Sequence, residues 1–267
     1  MKMAKFILSR AGILFFISTL YAQNTPVLLL DTFLPADKIY LDPLDQIYLI
    51  NDHEKRITKC DIQLRVLKKI SFNRGWDQAL LDVSDPFKCI LYYPGDHKIL
   101  ILDESLSSIG TYDEPELNME SSVCHYSTNF LGIYSNNSIK IKNYEEQKII
   151  SSDPLLNYDI NLTDYHSQLK YSNAHFYLLR SGIGVTRYNH QLFEDQVWLD
   201  DRIEKIDVYS DLLFYQIGSQ IFKSGGLSKT EELVLKTTGK IKFFTVNREY
   251  LIWLEEDRLK MVHWTKR

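Results

Sequence analysis

The sequence has 267 residues and is 45% hydrophobic, with 17 Tyr and 13 Phe but only 11 Gly and 7 Pro. This composition excludes a disordered or collagen-like chain, and its aromatic and β-branched bias favours strands. The formal net charge of -4 provides no basic field for phosphate backbones, so no nucleic acid is predicted as a partner.

The N-terminal residues follow the sequence pattern of a targeting signal. Three basic residues precede an apolar run at residues 11–20, and this run ends at the small-residue site Tyr21-Ala22-Gln23. A membrane anchor is the weaker alternative, because the apolar run is only about half of the roughly 20 residues that span a bilayer. We therefore predict a signal peptide over residues 1–22, no transmembrane segment after its cleavage, and a single mature domain over residues 23–267. The expected location is the periplasm or the outer membrane surface.

The residue pattern of the rest of the chain predicts short strands separated by polar turns. Residues 27–30 form an apolar run with no hairpin partner next to it in sequence. Five units of four strands follow, and a sixth unit stops one strand short. A looser segment, residues 152–164, is the best candidate for an insertion. The predicted strands are residues 39–41, 47–50, 57–62 and 66–72; 80–83, 89–93, 99–102 and 106–112; 123–126, 130–134, 139–141 and 148–151; 169–171, 175–179, 185–188 and 193–199; 206–209, 212–217, 221–223 and 232–235; and 241–246, 250–254 and 259–264.

The first turn of each unit recurs at a nearly constant spacing of roughly 37 to 45 residues, which is the period of a four-stranded β-propeller blade. We therefore predict an all-β, six-bladed β-propeller. The N-terminal strand at residues 27–30 completes the last blade and closes the ring. The alternative is another antiparallel meander, such as a β-sandwich or open barrel, but neither requires a fixed four-strand unit. The first polar residues of these turns are Asp42, Ser84, Ser127, Ser172, Ser210 and Asn247.

The sequence contains none of the common catalytic motifs that we considered. There is no nucleophile elbow, phosphate-binding loop or dinucleotide fingerprint, and the seven histidines have no repeated metal-ligand spacing. The cysteines, Cys60, Cys89 and Cys124, lie in apolar strands and are expected to pack as small hydrophobic side chains. No catalytic residue, cofactor or metal site is predicted, and the chain is not expected to be an enzyme.

Acidic residues near the ends of the first strands are expected to line the central channel of a propeller. A ring of carboxylates there would suit a cation or acid–base chemistry. The stronger interpretation is that these residues cap tight turns by accepting hydrogen bonds from their own backbone. The residues are Asp42, Asp45, Asp82, Asp85, Asp207 and Asp211.

The aromatic residues offer a second clue to function. Most of them should pack between blades, while exposed Tyr and Trp are common anchors of protein interfaces. The tryptophans in question are Trp76, Trp198, Trp253 and Trp264.

The second unit carries a family resemblance. Its segments at residues 85–88, 90–94 and 99–103 resemble short exported β-propeller proteins of bacteria that possess a type IX secretion system. The resemblance implies a non-catalytic, exported protein-interaction module, such as a plug or accessory subunit of an outer-membrane secretion translocon. Its partner would be an envelope or outer-membrane protein complex. The alternative is a carbohydrate-binding or hydrolytic propeller with its site at the central channel, for which Asp42, Asp85 and Asp211 should share one cavity.

Overall fold

A computed structural model describes residues 28–72, 79–154, 166–225 and 228–265. These residues form six four-stranded antiparallel sheets, which are the blades of a β-propeller and confirm the predicted fold. In chain order the strands are β1 Leu28–Phe33; blade 1, β2 Lys38–Leu41, β3 Ile47–Asn51, β4 Arg56–Cys60 and β5 Val66–Ser71; blade 2, β6 Leu80–Asp82, β7 Cys89–Tyr93, β8 Lys98–Leu102 and β9 Ser108–Asp113; blade 3, β10 Ser122–Ser127, β11 Phe130–Ser135, β12 Ser138–Asn143 and β13 Lys148–Pro154; blade 4, β14 Ser167–Ser172, β15 His175–Arg180, β16 Gly184–Asn189 and β17 Glu194–Trp198; blade 5, β18 Lys205–Tyr209, β19 Leu212–Ile217, β20 Gln220–Gly225 and β21 Ser228–Lys236; and blade 6, β22 Ile241–Val246, β23 Tyr250–Glu255 and β24 Arg258–His263.

The N-terminal strand closes the ring, as predicted. β1 is hydrogen-bonded to β24 and forms the outermost strand of blade 6. Their register runs from the pair of Leu28 and Val262 to the pair of Phe33 and Arg258. Arg258 Nε also donates to Asp31 Oδ1 at 2.7 Å. The first and last described strands thus share one sheet, and the edge that β24 would otherwise expose is covered.

Turn chemistry explains most hairpin positions. Asn136 and Asn137 have φ of 48° and 54°, the left-handed pair that a two-residue hairpin requires. The turn at Pro94-Gly95-Asp96, between β7 and β8, differs. These residues form a 3-10 turn, and the left-handed residue is His97, with φ 56°, rather than Gly95. The reason is that Pro94 sets a helical φ at the first position, which delays the reversal until the fourth residue.

The core lies between blades rather than within them. Each of six buried clusters joins the facing sides of two neighbouring blades. Between blades 4 and 5, for example, Tyr177 packs with Tyr215. Cys60, Cys89 and Cys124 are free, buried and part of these clusters, so their predicted role as small hydrophobic side chains is confirmed.

Several sequence predictions concern residues that lie wholly or partly outside the described ranges. The signal peptide predicted over residues 1–22 and Trp76 lie outside them, as do residues 155–164 of the predicted insertion. The insertion prediction is wrong at its start, because Ser152 to Pro154 continue β13 and pair with β12. Trp253 is buried between blades 5 and 6, and Trp264 is partly buried there. In the described part of the chain, no helix has the length and apolar character needed to cross a membrane.

Candidate functional site

Cavities of different width lie at the two ends of the channel along the ring axis, as formed by the described residues. The six innermost strands, one from each blade, all begin near the wider cavity of about 650 Å³, whose lining includes Lys38, Ser122 and Lys205. We call this the entrance cavity and its side of the molecule the entrance face. The narrower exit cavity, of about 320 Å³, lies on the exit face, where these strands end, beside residues such as Ser210 and Asn247. Five residues line both cavities and form the waist between them: Tyr40, Asp82, Lys170, Asp207 and Thr245.

Neighbouring blades are tied together around the channel by a repeated hydrogen bond. Each innermost strand pairs with only one strand of its own blade, so its other edge presents backbone N–H groups that need acceptors. At five of the six junctions a side chain of one innermost strand accepts such an N–H from the next blade. The pairs are Asp82 Oδ2 with His125 N at 2.9 Å, Ser122 Oγ with Leu169 N at 2.7 Å, Gln168 Oε1 with Ile206 N at 2.8 Å, Asp207 Oδ2 with Val246 N at 2.8 Å, and Thr245 Oγ1 with Leu41 N at 3.3 Å.

Sequence reasoning singled out only Asp82 and Asp207 from this ring. The other acceptors were missed because they hold no fixed position in the repeat: Asp82 lies two residues before the turn residue Ser84, whereas Ser122 lies five residues before Ser127. A search for one hydrogen-bond acceptor per innermost strand would have found them, since the unpaired edge demands one.

The sixth junction, between blades 1 and 2, is occupied by Tyr40. Burial raises the pKa of Tyr40, and the nearby backbone N–H of Leu81 acts in the opposite direction. The hydroxyl does not reach hydrogen-bonding geometry with any described residue, although it is buried. The waist therefore contains a buried tyrosine hydroxyl close to the backbone N–H of Leu81.

The charges at the waist compensate one another. Lys170 Nζ lies 3.2 Å from Asp207 Oδ1 and 6.0 Å from the centre of the Tyr40 ring. Burial lowers the pKa of Lys170, but Asp207 and Asp82 outweigh it and the net effect is a raised pKa. Asp207 also accepts the hydroxyl of Thr245 at 2.8 Å. Lys170 thus stays charged, and Asp207 is held by three neighbours.

Lys205 differs from the other lysines of the entrance cavity. Lys38 pairs with Asp52 at 2.7 Å and Lys242 with Asp257 at 3.0 Å. Among the described residues, none forms an ion pair or hydrogen bond with the Lys205 amine. Burial lowers the pKa of Lys205, and Lys240 adds to the effect while Glu204 opposes it. The wall of the entrance cavity therefore carries an amine that forms no ion pair or hydrogen bond within the described residues. Its role could not be predicted from the sequence, because a single lysine before a strand carries no signal.

Two of the six carboxylates expected at the channel are found there. Asp82 and Asp207 line both cavities, but the expectation is wrong for Asp42, Asp45, Asp85 and Asp211, which line neither. Asp45 accepts from the side-chain amide of Asn247 at 2.7 Å. These four lie in turns after the innermost strands, where the chain has already left the axis.

The proposed trio of Asp42, Asp85 and Asp211 is separated by its contacts. Asp42 Oδ1 accepts the backbone N–H groups of its own turn, Leu44 at 2.8 Å and Gln46 at 2.9 Å. Asp85 accepts from Phe87 N at 2.9 Å and faces blade 3, whereas Asp211 accepts from an amide of blade 4. Turn capping, the stronger interpretation from sequence, accounts for Asp42 and Asp85. Across the described ranges, no three His, Cys, Asp or Glu side chains are grouped so as to hold a metal ion.

The buried carboxyl of Asp42 predicts a pH effect on stability. Burial is the main cause that raises its pKa above the ordinary 3.8, and the turn N–H groups oppose it. A raised pKa means that the folded state binds more protons than the unfolded state above about pH 4, so the contribution of this group to stability falls as pH rises through the folded pKa. We expect Asp42→Asn, which keeps an acceptor oxygen for Leu44 and Gln46, to gain stability relative to the parent as the pH rises from about 5 to about 7.

Urea unfolding of both proteins at about pH 7 and about pH 5 measures this effect. The stability of the Asp42→Asn variant relative to the parent should be lower at the lower pH. A relative stability that stays constant, or that is higher at the lower pH, would contradict the assignment of the shift to Asp42.

Comparison with known proteins supports the fold. No protein-family model matches the chain, and no curated protein sequence matches it significantly. Three similar solved structures are the β-propeller domain of Cps50 (Swd1) from Myceliophteria thermophila, with 8% identity and TM-score 0.65 over 90% of this chain and 100% of that one; the Pan2 WD40 domain of Neurospora crassa, with 11% identity and TM-score 0.59 over 87% and 90%; and BamB from Moraxella catarrhalis, with 9% identity and TM-score 0.55 over 89% and 99%. At sequence identities of 8% to 11%, the similarity establishes only that this chain has a β-propeller fold.

Proposed function

We propose that this chain is a non-catalytic, exported binding module that holds a protein partner at the entrance cavity. The proposal rests on a difference between the polar groups of the channel: most of them are bonded to other groups of the fold, and one is not. The ring acceptors and the waist carboxylates all serve the fold, whereas the amine of Lys205 faces a cavity of about 650 Å³ with no partner among the described residues.

The bonding of the channel carboxylates favours a binding function over a catalytic one. A general acid or base must exchange a proton with its substrate, so it needs a free position near the reacting atom. Asp207 is engaged by Lys170, Thr245 and a backbone N–H, and Asp82 bonds the backbone of blade 3. Glu204 neighbours Lys205, but its carboxylate accepts from the Gln216 side chain at 3.3 Å and from Gly218 N at 3.2 Å. The Lys205 amine itself suits an acidic or carbonyl group that a partner inserts into the cavity.

The finer part of the proposal is the cellular setting. The basic and apolar order of residues 1–22 motivates export, and the propeller likeness to BamB is compatible with an envelope complex. The resemblance of the second unit to exported propellers of type IX secretion bacteria motivates a plug or accessory subunit of an outer-membrane translocon. These features support the proposal and are independent of the channel geometry.

Affinity pull-down from gently solubilised envelopes tests the function. The parent protein should recover a stoichiometric envelope protein, and Lys205→Glu should lower that recovery by at least tenfold, because a like charge replaces the amine at the contact. The matched control is Lys240→Gln, an exposed lysine near Lys205 that does not line the cavity, and it should keep full recovery. Lys205→Gln removes the amine without adding a second carboxylate beside Glu204, so it should leave the thermal unfolding midpoint unchanged and still lower the recovery.

Two results would overturn the proposal. One is repeated isolation of the parent protein as a free monomer from intact envelopes. The other is a glycan that binds the purified protein and is lost in Lys205→Glu, which would favour the carbohydrate-binding alternative at the same channel.

A further inference from the structure

Lys205 is the first residue of β18 and lies in the wall of the entrance cavity. Side chains alternate between the two sides of a strand, so Lys205 and Asp207 lie on the same side of β18. Because Asp207 lies at the waist, Lys205 is placed between the waist and the entrance face. The residue is half-buried. A molecule that fills the cavity therefore contacts the Lys205 side chain.

The four lysines that line the cavity within the described residues differ in their pairing. Lys38, Lys170 and Lys242 each form an ion pair, with N–O distances of 2.7, 3.2 and 3.0 Å. An ion-paired ammonium has no free electron pair to give to an electrophile. Lys205 has no such pair in the described part of the chain, and the carboxylate of Glu204 beside it already accepts two other N–H groups. Lys205 is thus the cavity lysine whose nitrogen is available to act as a nucleophile.

The surroundings of this amine favour its neutral form. Burial lowers the pKa of Lys205, because the charged form loses hydration. The carboxylate of Glu204 opposes this effect and the like charge of Lys240 adds to it, so that the net result is a lowered pKa. Desolvation beside another cation is a known way of activating a lysine as a nucleophile. Near neutral pH, a larger fraction of Lys205 than of an exposed lysine is therefore the free amine.

The lining of the cavity disfavours an anionic ligand. Among the described residues, its carboxylates outnumber its lysines, and apolar side chains such as Leu169 and Phe243 form other parts of the wall. The volume of about 650 Å³ is typical of small-molecule sites. A neutral ligand with an apolar body and one electrophilic carbon fits both the charge and the wall. The carboxylates are those of Asp37, Asp52, Asp82, Asp201, Glu204 and Asp207.

We infer that the entrance cavity is a reversible covalent site for apolar aldehydes, which condense with the amine of Lys205. The nitrogen lone pair forms a bond to the carbonyl carbon, and the π electrons of the C=O bond move to the oxygen. The nitrogen then gives up its two protons, and the oxygen leaves with them as water, so the product is an imine. Nothing is oxidised or reduced. The inference rests on the amine of the proposed function and narrows its ligand to a neutral carbonyl compound.

Reductive trapping on the purified full chain tests the inference. The aldehyde is hexanal, sodium cyanoborohydride reduces the imine at about pH 7, and peptide mapping by mass spectrometry identifies the labelled lysines. Lys205 should be labelled at least about tenfold faster than Lys240, an exposed lysine that does not line the cavity. Lys38 lines the same cavity but is paired with Asp52, so it should be labelled as slowly as Lys240. These two controls separate the effect of the cavity from the effect of pairing.

The ratio of Lys205 label to Lys240 label should depend on the aldehyde and on the pH. It should be lower with glyoxylate than with hexanal, because the carboxylate of glyoxylate meets the acidic lining. It should also fall as the pH is raised from about 7 to about 10, because an exposed lysine then loses its proton as well. Lys205→Arg keeps a cation but has no nucleophilic amine, and it should leave the label of Lys240 unchanged.

Equal labelling of Lys205 and Lys240 by hexanal would overturn the inference, as would a ratio that is the same for both aldehydes. The purified protein contains no envelope partner, so this result is independent of the pull-down. Unselective labelling, together with a pull-down that still requires Lys205, would refute the aldehyde site and leave the proposed function standing. Selective labelling of Lys205 without any recovered envelope protein would support the aldehyde site and contradict the proposed function.

Discussion

Replacing Asp207 with alanine should lower the free energy of unfolding by about 3 to 5 kcal/mol, because the change leaves the Lys170 ammonium buried at the waist without its partner. It also removes the acceptor of the Val246 N–H and of the Thr245 hydroxyl, which join blade 5 to blade 6. Chemical denaturation followed by tryptophan fluorescence measures the loss, since Trp253 and Trp264 pack between these same blades.

Two further variants identify the cause. Asp211→Ala is the matched control: the same side chain is removed from a turn, where it accepts one side-chain bond from Asn173, and the cost should stay below about 1 kcal/mol. Adding Lys170→Met to Asp207→Ala should recover a large part of the loss, because the uncompensated charge is then gone. Equal costs for the two aspartates, or no recovery in the double variant, would refute the role assigned to the waist pair.

Phe176→Ala should also cost about 3 to 5 kcal/mol, through the cavity that it opens between blades 3 and 4. Its ring is fully buried, stacks on Tyr126 with centroids 5.4 Å apart and contacts Tyr171 at 4.8 Å. The ring also presses against Gly132, where an added Cβ would lie 2.5 Å from it. Blade 3 therefore has a glycine where the aromatic ring of blade 4 enters.

Phe193 offers the matched control for this variant. It is 62% exposed in the turn before β17, so Phe193→Ala removes the same ring without opening a buried cavity. Its effect on the urea midpoint should stay within about 0.5 kcal/mol of the parent stability. A Phe176→Ala protein as stable as Phe193→Ala would show that the two blades do not depend on this contact.

The sequence alone determined the architecture, because the information for a blade is local. Period-two alternation marks each strand, and Asn, Asp, Ser and Gly mark the turns between strands. The count of six units and the missing strand of the last one then required the N-terminal strand to close the ring. Local information was insufficient where a turn had an alternative, as at Pro94 to His97 and at Leu106, which was predicted to begin a strand but has φ 62°. It was also insufficient where β13 continued into the segment predicted as an insertion.

The tertiary structure decided which residues face the channel and which face solvent at the rim. The ring of inter-blade bonds joins residues that are about 40 positions apart, such as Asp82 and His125, or that lie at opposite ends of the chain, such as Leu41 and Thr245. No local pattern encodes these pairs, since any acceptor that reaches the unpaired edge will serve. The environment of the Lys205 amine depends in the same way on neighbours that only the closed ring supplies. Asp42, Asp85 and Asp211 have similar surroundings in sequence, but each turns to a different contact once the blades pack.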